Sequence, residues 1–298
     1  MRSPESESNP KVRRKPKPRR KPEPQPVPVP PPPGARKAVV QHEKWLDAYR
    51  LNPPPPPLVA PLLSYQGGKA KNGMTLAEMI ESHRKERQTY IEPFVGGGNV
   101  ICHIADHGER IGTDAHDLLI NFFHAVQSGW RPSPAKPSDA MYQRYKKRWA
   151  KETDFSGLTL EKKAQIAWMG YGASYDGAWF AGRNPESGLK LFDRDSPHIM
   201  NAQFWQGLYD HHSHRRGCLI YCDPPYKGKK GFAAVRATAG EFVHDRFWDW
   251  CAMMVARNNV VLVSEETLPP RRYIAGKQGY MGGPHNNRQE YLIRVRAS

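Results

Sequence analysis

Cysteine is scarce in this sequence. Its 298 residues include four, Cys102, Cys218, Cys222 and Cys251, and no Cys-x-x-Cys pair. Such spacing supports neither a zinc site nor a disulfide framework, and a reducing cytoplasm suits the chain. Cys218 and Cys222 fall in an apolar run and read as buried strand thiols. His211, His212 and His214 lack carboxylate or thiol companions at ligand spacing, so no metal is expected. Long apolar runs are missing. No stretch approaches 18 residues, so no membrane span is expected, and the charged, Pro-rich first residues lead us to expect no secretory signal. The dinucleotide pattern Gly-x-Gly-x-x-Gly is absent, which argues against NAD. The P-loop spacing is absent as well. No repeat of 20 to 50 residues occurs, which excludes a solenoid. Acid is in short supply: 29 Asp and Glu face 45 Lys and Arg, a net charge of +16. That surplus points to a polyanionic partner, nucleic acid first among them.

Proline is abundant but unevenly placed. Residues 1–57 hold 17 of the 29 prolines, and residues 1–37 carry 11 Lys and Arg against 3 Glu. A segment of that composition buries too little apolar surface to order itself, and it reads as a tether or linker. Residues 42–50 could form a short helix within it. The folded part is expected from Leu58.

From there the pattern is that of an α/β protein. Tyr90 to Val95 reads as a buried strand, closed by Gly96-Gly97-Gly98. Asn99 to Asp106 reads as a helix. Arg110 to Thr113 is a second strand ending at Asp114, and Asp117 to Gln127 has helical spacing. Residues 130–216 are rich in aromatics, bases, Pro and Gly. The strand pattern returns at Cys218–Cys222, which ends at Asp223. A helix over Phe242–Arg257 and strands over Val260–Ser264 and Glu290–Val295 follow. A parallel-sheet domain, 58–129 and 217–298, is thus split by an insert over 130–216.

Three constellations carry chemistry. In Glu92-Pro93-Phe94-Val95-Gly96-Gly97-Gly98, glycines at a strand-to-helix turn let the backbone approach a ligand. Asp114, at the tip of the next strand, can hold two ribose hydroxyls. Asp223-Pro224-Pro225-Tyr226 closes a strand at its carboxyl end, where ligands bind in open α/β sheets. A carboxylate and the Pro224 carbonyl can both accept from an exocyclic amine and so localise its lone pair. Pro225 stiffens the loop, and Tyr226 offers a face for a base. The third constellation is Tyr65-Gln66-Gly67-Gly68-Lys69.

In this order the three motifs resemble the Dam-like, D12 class of adenine-N6 DNA methyltransferases, phage-encoded members in particular. The resemblance spans roughly residues 61–296. Tyr175 to Phe180 and Asn287 to Ile293 add smaller marks. It implies a Rossmann-like S-adenosylmethionine-dependent methyltransferase fold with a mainly helical target-recognition insert. It also implies S-adenosyl-L-methionine as cofactor and double-stranded DNA as partner, with the protein a monomer or transient dimer in a bacterial cytoplasm. Tyr65, Gly67, Gly68, Lys69, Glu92, Pro93, Phe94, Gly96, Gly98, Asp114 and Asp223 would surround the cofactor. Asp223, Pro224, Pro225 and Tyr226 would act on the amine. Ala115 and His116-Asp117 depart from the family pattern beside Asp114.

Lys227, Lys229 and Lys230 can clamp phosphates beside an extruded base. Arg144, Lys147 and Arg148 alternate with aromatics from Tyr142 to Trp149, which suits DNA contact or an amphipathic helix. Two other functions stay open: the same fold acting on cytosine N4, and a catalytically silent DNA-binding protein.

Overall fold

The computed structural model describes residues 63–70, 72–134, 136–152, 154–185, 199–227, 241–275, 279–282 and 289–297. The leader, with the short helix expected over 42–50, and Lys229 and Lys230 lie outside these residues. Among the described residues there are seven strands: β1 Tyr90–Glu92, β2 Arg110–Asp114, β3 Gln203–Gln206, β4 Leu219–Cys222, β5 Val260–Glu265, β6 Gly279–Gly282 and β7 Gln289–Arg294. They form one sheet in the order β3-β2-β1-β4-β5-β7-β6. The first five are parallel. β7 enters antiparallel to β5, and β6 pairs antiparallel with β7.

The central strands are apolar on both sides because both sides are covered. Along β4, Leu219 and Tyr221 face one apolar layer and Ile220 and Cys222 the other. The first layer receives α1 (Gly73–Glu81), α2 (Asp117–Gln127), α3 (Asp139–Lys151) and α4 (Leu160–Ala167). The second receives α5 (His244–Ala256), through Phe247, Trp250 and Cys251. Strand order, parallel core and helices on both faces make this a Rossmann-like methyltransferase fold. Cys218, Cys222 and Cys251 are buried free thiols.

α2 has the bounds its periodicity sets. It is buried nearly all round, because α4 from the insert packs on the side away from the sheet. Elsewhere the chain departs from its pattern. β1 stops at Glu92, since Pro93 cannot donate to a ladder. No helix runs from Asn99 to Asp106; only a 3-10 turn, Ile101–His103, forms. Arg110 accounts for this: its Nη1 donates to Ile101 O (3.2 Å) and Ile104 O (3.1 Å), carbonyls a longer helix would use itself. Two strands, β3 and β6, escape notice in the sequence. β3 lies inside residues 130–216, yet it pairs with β2 through Asp114↔Gln206. The chain therefore rejoins the sheet by Gln203, well before residue 216.

Candidate active site

β2, β1 and β4 are neighbours, so their carboxyl ends bring Asp114, the turn after Glu92 and Asp223 to one edge of the sheet. The glycine turn is tightly built. Gly96 has φ +48° and Gly98 φ +73°. A β-carbon on Gly96 would stand 2.9 Å from the Tyr65 ring, and one on Gly97 2.8 Å from Tyr65 Cβ. Only glycine admits both the conformation and this approach of the Tyr65–Lys69 loop. Val95 N–H donates to Thr113 O (2.9 Å), tying the turn to β2.

Asp114 is almost wholly buried. Its Oδ2 accepts from Gly96 N (3.1 Å) and its Oδ1 from His116 N (3.0 Å). Burial still outweighs these donors and raises the carboxyl to about 6. Beside it stands an aromatic wall. Tyr65 and Tyr171 have ring centroids 4.8 Å apart, and Trp179 lies 4.5 Å from both Tyr171 and His116. The Tyr171 hydroxyl bonds His116 Nδ1 at 3.0 Å, and burial depresses the imidazole to about 3. His116 is therefore a neutral imidazole bonded to that hydroxyl.

Around Asp223 three polar side chains converge. Lys69 Nζ donates to Asp223 Oδ2 (2.6 Å) and to the Tyr226 hydroxyl (2.7 Å), and it pairs with Glu290 Oε1 at 3.0 Å. The Tyr226 hydroxyl reaches Asp223 Oδ1 (3.0 Å) and also bonds Glu290 Oε1. Burial works against the Lys69 ammonium, but Asp223 and Glu290 outweigh it and raise its pKa. Burial also raises Asp223 against the pull of Lys69. The Tyr226 phenol is held far above its usual range by burial and both carboxylates, so it stays protonated. The loop itself is pinned where His244, at the start of α5, meets Pro225 O at 2.9 Å.

Residues 65–167 match the family D12 class N6 adenine-specific DNA methyltransferase. This is a methyltransferase domain, and its methyl donor is S-adenosyl-L-methionine. No curated protein matches the chain in sequence. Among solved structures, the rRNA methyltransferase aviRa of Streptomyces viridochromogenes is 12 % identical, with a TM-score of 0.35, over 74 % of this chain and 84 % of its own. The putative methyltransferase yhhF of Escherichia coli is 9 % identical, with a TM-score of 0.34, over 80 % and 91 %. SMU.472, a putative methyltransferase complexed with SAH, is 10 % identical, with a TM-score of 0.37, over 79 % and 54 %.

The residues of the methyltransferase site fit the donor chemically. Asp114 presents a buried carboxylate suited to vicinal hydroxyls, beside rings suited to a purine. Both polar atoms of the Asn99 amide are buried without a partner, between Gly68 and Gly97, and so are free to meet polar atoms of a ligand. Lys69, expected only at the cofactor, is bonded to Asp223 as well. Glu92 turns into the core, where it accepts from the Tyr90 hydroxyl (2.9 Å) and burial holds it well above the usual carboxylate range. Phe94 joins Tyr209, Phe242 and Phe247 in an aromatic cluster with centroids 5.7–5.8 Å away. Pro93 and Pro224 are buried beneath their loops.

Arg144, Lys147 and Arg148 are exposed on α3, whose Tyr142, Tyr145 and Trp149 pack inward. Lys227 is exposed next to Tyr226. Sequence reasoning missed Glu290, Tyr171 and Trp179 as site residues. Glu290 offered one signal, its place in the closing Arg-x-Glu strand.

Proposed function

We propose that the protein transfers the methyl group of S-adenosyl-L-methionine to the N6 amine of adenine in duplex DNA, after the base leaves the stack. The observation that carries this is Asp223-Pro224-Pro225-Tyr226 at the carboxyl end of β4, with the Asp223 carboxylate among Lys69, Tyr226 and Glu290. A base inside a duplex cannot bring its amine to a buried carboxylate, so extrusion precedes chemistry. Asp223 and the Pro224 carbonyl accept the two amine hydrogens and localise the nitrogen lone pair. The Tyr226 ring gives the base a stacking face while its hydroxyl stays tied to the carboxylates. Asp114 and Asn99 orient the cofactor, which supplies the electrophilic methyl group. Positioning and local charge do most of the work, and no covalent enzyme intermediate is needed. Arg144, Lys147, Arg148 and Lys227 contact phosphates. The insert supplies side chains that read base edges.

The test is methyl transfer from labelled cofactor to unmethylated DNA, followed by nucleoside analysis, with wild type and Asp223→Ala side by side. Label is expected in N6-methyladenine and absent with the variant. Label in N4-methylcytosine would reassign the base. A folded wild type that binds cofactor yet transfers nothing to DNA would overturn the proposal.

A further inference from the structure

The amine that accepts a methyl group must also lose a proton. As its lone pair makes the new C–N bond, one N–H bond breaks with its electrons returning to nitrogen. The proton needs an acceptor. Asp223 is the first in reach, yet it is only partly exposed, paired with Lys69, and would be covered by the base it holds.

The structure supplies a second carboxylate that the methyl-transfer chemistry so far leaves unused. Glu290 stands on β7, two strands from β4. One hydroxyl connects the two acids: that of Tyr226, at 3.0 Å from Asp223 Oδ1 and bonded to Glu290 Oε1. Lys69 lies against all three groups and neutralises one carboxylate, so the cluster retains one net negative charge. A phenol between two carboxylates can take a hydrogen on one side while giving its own on the other, without ionising.

We propose that Glu290 is the final acceptor of the amine proton, reached from Asp223 through the Tyr226 hydroxyl. The proton leaving N6 lands on Asp223 Oδ1. The Tyr226 oxygen takes it and passes its own hydrogen to Glu290 Oε1. Asp223 is again a carboxylate, Tyr226 is unchanged, and Glu290 holds the proton until it exchanges with water. Tyr226 thereby does two jobs, its ring facing the base and its hydroxyl carrying the proton. This inference rests on the methyl-transfer function proposed above.

The experiment is single-turnover methyl transfer to adenine in an unmethylated duplex, with the full chain and saturating S-adenosylmethionine. Glu290→Gln and Tyr226→Phe are each expected to slow transfer by about 100-fold, the lower end of what proton-transfer catalysis contributes. The double variant should be no slower than the worse single one, because both break the same path. Formate, acetate and imidazole should restore Glu290→Ala, more so the stronger the base. Calorimetric affinity for S-adenosylhomocysteine should stay within about twofold of wild type in every variant, which checks the fold without catalysis. A wild-type rate in Glu290→Gln would overturn the relay. So would losses that multiply in the double variant, or a loss that no added base restores. A wild type that fails to methylate DNA adenine would instead bring down the proposed function, and the relay with it.

Discussion

Asp114 carries a carboxylate where burial disfavours charge. Its folded value, about 6, lies above the 3.8 of an unperturbed group. The sign of the linkage follows: stability from the protonated form is complete below 3.8 and is lost as pH rises through 6. At pH 7 the ionised group therefore weakens the fold by about 3 kcal/mol. A ligand with two hydroxyls recovers that cost, which is how a binding residue differs from a packing one. Affinity for S-adenosylhomocysteine, measured by calorimetry, should be level above pH 7. It should fall toward about tenfold per unit below pH 6. A flat profile from pH 5 to 8 would remove Asp114 from the ribose. At this scale the sequence was informative where a residue follows an apolar strand, as Asp114 and Asp223 do. It was silent on Tyr171 and offered Trp179 and Glu290 only as members of minor motifs, because their importance comes from partners far away in the chain. Glu92 shows the converse. It sits in the right motif, but the Tyr90 hydroxyl and its burial direct the carboxyl inward.

Among the elements, α3 is the plainest case of one helix doing two things. Ser138 caps it by accepting from Met141 N (3.2 Å). Tyr142, Tyr145 and Trp149 fix its inner side, leaving Arg144, Lys147 and Arg148 to solvent. Arg148 is already engaged by Glu152 at 2.6 Å. Arg144→Glu with Lys147→Glu should therefore weaken duplex binding and lower its log–log salt slope by about 2, with Tm and S-adenosylhomocysteine affinity unchanged. Fluorescence anisotropy over a salt series measures the slope, and an unaltered slope would exclude this face. The elements legible in the sequence, α2, β2, β4 and β5, have strong apolar patterning. β3, Gln-Phe-Trp-Gln, buries only one side chain of four at the edge of the sheet. Its register comes from β2 and not from its own pattern. The missing helix after the glycine turn has the same origin, because Arg110 claims its carbonyls from another strand.

For the whole molecule, the described residues from Leu63 onward fall in one compact unit. Residues 1–51 carry half of the net charge of +16, and none of the residues assigned above to chemistry. Deleting them should leave the single-turnover rate on saturating DNA unchanged and raise KM for DNA at low salt, with the difference fading as salt screens the lost charges. A drop in the single-turnover rate itself would make the leader part of the catalytic unit. The fold class was legible at this scale because two halves of a parallel sheet show through a long interruption. The point at which the sheet resumes was not, since β3 carries so weak a pattern.

The place of β7 also bears on how the protein is made. Synthesis delivers Lys69 first, Asp223 and Tyr226 much later, and Glu290 last of the four. While β7 is still inside the ribosome, a nascent chain can assemble the glycine turn and the Asp114 pocket. It cannot close the Lys69, Tyr226 and Glu290 cluster, and a chain truncated before β7 would leave the Lys69 ammonium with one carboxylate in place of two.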